Sequence, residues 1–576
     1  MSAESTGETG ATVAPEPAPG PAPRWRDRLL DHPLRVTFAL AVPVAVGHAL
    51  WIWTHRLEGA IDPDEAGYIA AALRFHGNLT HFHFVEFIRS VGGSGTGPLV
   101  PLASVPLLFL GPIDLRTVMM IQPLLMVFTA IAAAGIASRL AGPWAALAAG
   151  ASVIVMPTVA LATESYWLGL GAAASLAGAM WALVCSDGCR NRMTWMYGLG
   201  IAAMLLSRTM ALAFLPGAVL AGVIVAWGDR ARLVGLAKAL GLAVIVAGPW
   251  WVVEWSTTFD YLFGYGFGPR AGRFGSGNAW DRLVFRLTRI EDGIGDTLSV
   301  VALVALAIAV VSWVWRRSRR LDEPAFEGRS AAALAAVVGL GVLALASTSN
   351  NGVWFELPVI IVLAPLVAGL AATASLPASF PLPSVIGVAA VVQAWSVLAQ
   401  VWWIAPPPVT IAAHYEYGFN EYDTRFHSSQ RSHLHEAARE WRVLNREVAD
   451  ELRRIAGGER NHISFSLSGN MELFNTNSID LAGMLRGWDP RIDIPDTTKP
   501  AAARATDLDP TAVVRGRRVE RVLILALHDK ILFTPDGKVR GFAAQARDDG
   551  WNDELARFAM PRDSGDVVIL RHSGGG

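Results

Sequence analysis

One short run, Asp62-Pro63-Asp64-Glu65-Ala66-Gly67-Tyr68, gathers three carboxylates and a phenol immediately after the first long apolar stretch of the chain. Carboxylates so grouped take a proton from a hydroxyl or hold a hard cation. Desolvating them beside a bilayer is costly, which favours a functional reason for their presence. The plainer alternative is a solvated helix start, with Asp64 capping a helix over Tyr68 to Phe75 and Glu65 favoured by its dipole. Other polar residues are expected on the same side of the membrane: His81, His83, Glu86 and Arg89 in the same loop, Glu164 in the next turn, and Arg208 in a break within an apolar stretch. A guanidinium in such a break suits a lipid phosphate, which it can grip with two parallel hydrogen bonds. Two histidines two residues apart do not define a metal site, and His81 and His83 read as interfacial residues. Asp62, Asp64, Glu65 and Glu164 are hard oxygen ligands of the kind Mg²⁺ or Mn²⁺ accepts, so a divalent cation stays open. A Gly-rich loop over 256–296 adds Tyr261, Tyr265, Arg270, Arg273, Trp280, Arg282, Arg286 and Arg289, a mixture that suits sugar phosphates or lipid headgroups.

The elements that must carry these residues are membrane helices. The chain is 52% hydrophobic and 17% charged, with a mean hydropathy of +0.37, which is too apolar for a soluble protein of this length. Its 48 basic and 49 acidic residues leave a net charge of -1, which excludes a polybasic nucleic-acid surface. At roughly 20 apolar residues per crossing, spans are predicted at Leu34 to Thr54, Leu115 to Ser138, Trp144 to Ala162 and Tyr166 to Val184. A broken pair follows at Met196 to Leu206 and Ala211 to Trp227. The remaining spans fall at Leu236 to Trp255, Thr297 to Trp315, Ala331 to Thr348, Phe355 to Thr373 and Val385 to Ile404, for about eleven in total. The Pro-containing stretch 98–112 is read as an interfacial or re-entrant helix. Arg24, Arg26, Arg28, Arg139, Arg190, Arg192, Arg230, Arg232, Arg316, Arg317, Arg319 and Arg320 then all fall on one face, the cytoplasmic one. The outward face receives the loops 55–115 and 256–296, together with Asn350 and Asn351.

The fold class expected is therefore mostly α, a polytopic membrane protein with a C-terminal soluble α/β domain. Residues 1–23 lack large apolar side chains and read as a disordered cytoplasmic tail. Residues 24–405 form the membrane domain. Residues 406–576 are densely charged, with a helical stretch at Ser432 to Ile455 and strand-like runs at Ile463 to Leu467, Val522 to Leu527 and Val567 to Leu570. An odd number of spans places this domain outside the cytoplasm. Its Asn475-Thr476-Asn477 is read as turn chemistry. Cys185 and Cys189 are too few for a disulfide scaffold and read as small membrane-facing residues.

Over roughly residues 34–405 the sequence resembles membrane glycosyltransferases of the GT-C superfold, the group that holds protein O-mannosyltransferases and lipid A aminoarabinose transferases. The resemblance rests on Asp64-Glu65 with Tyr68 downstream, Gly97-Pro98 opening a helix, and Phe109-Leu110-Gly111 before a span that carries Arg116. Leu206-Ser207-Arg208 ahead of Leu215-Pro216, and Gly248-Pro249-Trp250-Trp251 before the large outward loop, complete it. The resemblance implies a polyprenyl-phosphate sugar donor and a cell-envelope glycan, lipid or protein as acceptor. It also implies that Asp64 acts as base or ion ligand with Glu65 as partner, that Glu164 is a second outward acid, and that Arg208 meets the lipid phosphate. Arg270 and Arg273 would add to the phosphate site, and Tyr68, His83, Glu86, Arg89, Asn350 and Asn351 to the substrate site. Asn350, Asn351 and Glu356 stand where related enzymes more usually carry a basic and Tyr pattern. One-step attack by an acceptor hydroxyl would invert the anomeric centre. Two other readings compete: a transporter or flippase for a lipid-linked precursor, and a non-enzymatic envelope assembly protein. The first sits poorly with acids at one mouth instead of the bilayer midplane, and the second gives those acids nothing to do.

Overall fold

The segment after the first long apolar helix begins with a helix whose start is written into its first residues. Asp62 has extended backbone and its carboxylate accepts from the Asp64 N–H at 2.8 Å, Pro63 occupies the first helical position, and Asp64 and Glu65 lie in the first turn. The computed structural model that shows this describes residues 31–57, 61–264, 266–268, 277–319, 327–350, 355–374, 381–402, 431–457, 463–468, 474–487, 491–492, 511–514, 517–528, 536–561 and 565–573. The N-terminal tail predicted for residues 1–23 lies outside them.

In chain order the helices of the membrane part are α1 (Pro33–His55), α2 (Pro63–Thr80), α3 (Phe84–Gly92), α4 (Leu99–Leu110), α5 (Leu115–Met119), α6 (Ile121–Ala141), α7 (Pro143–Val155), α8 (Pro157–Glu164), α9 (Leu168–Val184) and α10 (Met193–Ser207). A 3₁₀ turn over Thr209–Phe214 leads into α11 (Leu215–Ala226). Then come α12 (Arg230–Val253), α13 (Trp255–Phe259), α14 (Ala279–Ile294), α15 (Asp296–Arg319), α16 (Gly328–Ser347), α17 (Leu357–Ala372) and α18 (Leu382–Val401).

Six described helical segments are long and apolar enough to cross a bilayer: α1, Leu115–Ala141, Thr209–Ala226, α12, α15 and α16. Helices α7 and α8 together make a seventh, bent by 52°. The length criterion thus yields fewer crossings than the roughly eleven predicted, because α9, α10, α17 and α18 enter as shorter apolar helices. The bend has a covalent cause. Met156 is extended and precedes Pro157, which has no N–H for the helical ladder. Gln393 of α18 repairs the opening, its side-chain amide donating to Val155 O at 3.1 Å and Ile294 O at 2.8 Å while its oxygen accepts from Leu298 N.

Small residues let these helices meet closely. The buried centre is rich in Ala and Gly from α6, α7, α9 and α10, whereas Val and Ile of α12, α15 and α18 point outward. In water that outward apolar surface would drive association; against lipid tails it is at rest. Stretch 98–112 is the 12-residue α4, as short as the sequence suggested. Cys185 and Cys189 flank a turn after α9; both are free, one half-buried and one buried.

The C-terminal part contains α19 (Arg431–Ile455), α20 (Thr476–Leu485) and α21 (Asp536–Asp548). Its strands are β1 (Ser464–Ser468), β2 (Arg491–Ile492), β3 (Thr511–Val514), β4 (Arg517–His528), β5 (Asp553–Ala559) and β6 (Gly565–Arg571). The sheet runs β2-β1-β4-β6-β5, with β3 pairing β4 off this path. Strand β1 is parallel to β2 and β4, and β6 is antiparallel to β4 and β5. Alternation along β4 sorts Val522, Ile524 and Ala526 to the face covered by α19, and Leu523 and Leu525 to the face covered by α21.

Candidate active site

Three separate segments come together around Asp64, Tyr68 and Arg208. The first is α2, where Tyr68 follows Asp64 by one helical turn and so shares its face. The second is the link between α8 and α9, which supplies Trp167. The third is the break after α10, where Arg208 is extended between the helix and the 3₁₀ turn.

Asp64 is open to solvent, yet protein surrounds it closely enough that burial holds its carboxyl above the usual carboxylate range, with Arg208 pulling it back down. Burial also pushes the Tyr68 hydroxyl well above its ordinary value; Asp64 pushes the same way, Arg208 opposes it, and Tyr261 and Asp62 add to the rise. Tyr68 is therefore a neutral hydrogen-bond donor within electrostatic range of all four.

Arg208 is buried and held by aromatic faces. Its guanidinium lies 4.5 Å from the Phe355 ring centroid and 5.6 Å from that of Trp167. The Trp167 ring in turn meets Tyr68 edge-on, with centroids 6.3 Å apart. Among the described residues Nη1 of Arg208 has no hydrogen-bond partner. A buried guanidinium nitrogen left unpaired is costly, and an anion arriving beside it would remove that cost.

The backbone around Arg208 is set by Gly97. A Cβ on Gly97 would come within 2.4 Å of Leu206 O and Ser207 C and 2.6 Å of Arg208 N, so only glycine allows the entry to α4 to press on this break.

No protein-family model matches the sequence, and a search of characterised proteins finds no match. The likeness lies in the structure. ArnT from Cupriavidus metallidurans bound to undecaprenyl phosphate matches with a TM-score of 0.52 at 14% identity, covering 92% of this chain and 97% of that one. The same protein in the apo state matches at 0.50 and 13% identity, covering 92% and 98%. The chain has the GT-C fold. Archaeal oligosaccharyltransferase AglB from Archaeoglobus fulgidus, in complex with an inhibitory peptide and a dolichol-phosphate, is a more distant likeness at a TM-score of 0.45, 12% identity and 74% and 58% coverage.

Within this fold the remaining expected site residues fall in several places. Glu65 is fully buried; one oxygen accepts from Arg56 at the end of α1 and the other from the Tyr166 N–H at 2.6 Å. It ties α2 to α1 and to the link that carries Trp167. Glu164 ends α8, and its Oε1 lies 2.9 Å from Nδ1 of His48 on α1. Trp402 Nε1 donates to the same nitrogen at 3.2 Å. His83, Glu86 and Arg89 lie at or on α3, a surface helix whose Phe84, Val85 and Ile88 are exposed, and His83 stacks on His81 at 5.9 Å. None of the three makes a hydrogen bond or ion pair to Asp64, Tyr68 or Arg208. Asn350 is buried, and its carbonyl accepts from Arg286 Nη2, whose Nη1 pairs with Glu356. Arg286 also lies 5.9 Å from the Phe355 ring, on which Arg208 rests. Arg270, Arg273 and Asn351, like Tyr265, lie outside the described residues.

A cation held by Asp64 and Glu65 does not fit this geometry. Both oxygens of Glu65 are taken, by Arg56 and the Tyr166 N–H, so Glu65 offers no free oxygen beside Asp64. Trp167, Phe355 and Arg56 are the contributors that sequence reasoning missed. Aromatic and basic residues beside a span carry no pattern that marks them individually.

Proposed function

We propose that the chain is an inverting membrane glycosyltransferase that moves a hexosyl or pentosyl group from a polyprenyl-phosphate donor to a hydroxyl of a cell-envelope glycan, lipid or protein. The observation that supports this best is the convergence of an enclosed carboxylate, Asp64, with a buried cation, Arg208, whose Nη1 has no partner among the described residues. ArnT, whose fold the chain shares, is bound to undecaprenyl phosphate, a lipid of the proposed donor class.

In the proposed step the acceptor oxygen attacks C1 of the sugar from the face opposite the phosphate. The new C1–O bond forms as the C1–O bond to phosphate breaks. The acceptor proton passes to Asp64, and the electron pair of the broken bond leaves on the lipid phosphate. Charge grows on that phosphate through the transition state, which is where the Arg208 guanidinium acts. Tyr68, neutral and adjacent, donates a hydrogen bond to substrate or to Asp64. Glu65 fixes the helix instead of joining the reaction, and no step is assigned to a metal ion. Arg270 and Arg273, which follow Tyr261 in the chain, are proposed to add positive charge for the donor.

We place the reaction on the outer face of the plasma membrane, with the N-terminus cytoplasmic and the C-terminal domain outside. The shorter apolar helices cross beside the longer ones, restoring about eleven crossings. The test supplies radiolabelled polyprenyl-phosphate sugars to purified wild type and Asp64→Asn, with and without chelator. Transfer should fall by roughly 10²- to 10⁴-fold in the variant, chelator should leave the wild-type rate unchanged, and the product should have inverted anomeric configuration. Equal rates in the two proteins would remove Asp64 as base.

A further inference from the structure

The C-terminal domain meets the membrane domain on the helix that carries Asp64. The side-chain amide of Asn477, at the start of α20, donates to Pro63 O at 2.8 Å, on the first helical residue of α2. It lies directly over Gly67, where a Cβ would come within 3.1 Å of Asn477 Nδ2 and 3.2 Å of its Cγ. Farther along, both oxygens of Asp480 accept from Arg74 Nη2, at 3.1 and 2.9 Å. Leu481 is buried within the core of the membrane domain, and Met484 and Leu485 pack against that core.

These contacts follow helical geometry on both partners. Asn477, Asp480, Leu481 and Met484 are spaced i, i+3, i+4, i+7 and form one face of α20. Ile479 and Ala482 face the other way, into the core that α19 and the sheet build. On α2 the gripped residues Pro63, Gly67 and Arg74 share a face, and Asp64 and Tyr68 lie on the strip beside it. Asn475 caps α20 by accepting from the Ser478 N–H at 2.9 Å, so the gripping end of the helix is itself fixed.

We infer that α20 is a clamp on the catalytic helix, with Asn477 and Asp480 as positioning residues that set where Asp64 stands relative to Arg208. The inference rests on the assignment of Asp64 as base. Helix α2 belongs to an outer loop, and its first turn is the part of any helix most prone to fray. The clamp grips that first turn directly and holds a later turn through the Arg74 pair. A misplacement of about 1 Å between a base and its substrate can cost about 10²-fold in rate, so loosening this contact should slow turnover without altering how the donor phosphate is held.

The test uses full-length protein in lipid and three variants: Asn477→Ala, Asp480→Asn, and the exchanged pair Arg74→Asp with Asp480→Arg. Two readouts are taken together with the unfolding temperature: hydrogen exchange of the amides in residues 63–74, and kcat and donor KM for transfer. The single variants are expected to raise exchange in that helix and to lower kcat by about tenfold or more, with donor KM and unfolding temperature unchanged. The exchanged pair should recover both. Unchanged exchange would overturn the clamp, and so would faster exchange with wild-type kcat. A lower unfolding temperature with unchanged kcat per folded molecule would reduce the contact to simple adhesion, overturning the positioning role. If wild type transfers no lipid-phosphate sugar yet the exchange response appears, the proposed reaction falls while the grip on α2 stands.

Discussion

Neighbouring side chains on a helix point about 100° apart, and that rotation gives Asp64 and Glu65 different surroundings. Asp64 is exposed and feels the charge of Arg208, while Glu65 turns inward and is sealed against Arg56 and the Tyr166 N–H. Removing one partner of a buried ion pair strands the other, at a cost of about 3–5 kcal/mol. Glu65→Gln should therefore lower the unfolding temperature markedly, and replacing Arg56 and Glu65 together with Met should restore much of it; thermal unfolding in detergent reads both. Asp64 gives the opposite signature, with activity lost and stability kept. As the proposed base its carboxyl must be ionised to accept a proton, and burial raises its pKa. The acidic limb of kcat/KM should accordingly lie above the range of a solvated carboxylate, with activity falling as pH drops through it. Arg208 lowers that pKa, so Arg208→Gln should move the limb to higher pH in whatever activity remains. A limb that stays in place would mean that Arg208 does not face the base. Asp64, Glu65 and Arg208 stood out in the sequence because two acids adjoin in one short run and a guanidinium interrupts an apolar stretch. Their partners did not, since Arg56 and Phe355 become relevant only through contacts between distant segments.

Breaks in helices place most of the site. Arg208 stands where one apolar stretch is interrupted, and Trp167 follows the end of the bent pair α7 and α8. The first break was visible in the sequence as a basic residue within a hydrophobic run. The bend at Met156 was not, since Pro157 is compatible with a kink, a helix start or an unbent span until the packing of Gln393 against Val155 O is seen. Gly97 offers the sharpest test of how an element holds a residue. Gly97→Ala forces a methyl against Leu206 O and Ser207 C, a kind of overpacking that costs about 1–3 kcal/mol. The strain falls on the backbone of Arg208, so donor KM should rise several-fold while the protein still folds. Wild-type KM in a stable Gly97→Ala variant would show that Arg208 is positioned by its aromatic neighbours alone.

For the molecule as a whole, the division into a helical membrane part and a charged α/β part could be read from composition. The contact that joins them could not, because Asn477 reads as turn chemistry and Asp480 carries no pattern of its own until α20 is seen against α2. Topology is open to direct test. Ser573 is exposed, and Ser573→Cys in a background with Cys185→Ser and Cys189→Ser should react with a membrane-impermeant maleimide in intact cells. Labelling only after permeabilisation would invert the proposed orientation and place the site on the cytoplasmic side.

Strand β6 lies inside the sheet between β4 and β5, yet in the chain it comes after α20. During biosynthesis the membrane helices and α2 are made first, and the sheet behind α20 stays unfinished until β6 has been made. A chain stopped before β6 should therefore hold α2 less firmly even though α20 is already present, because the sheet against which α20 packs lacks an inner strand.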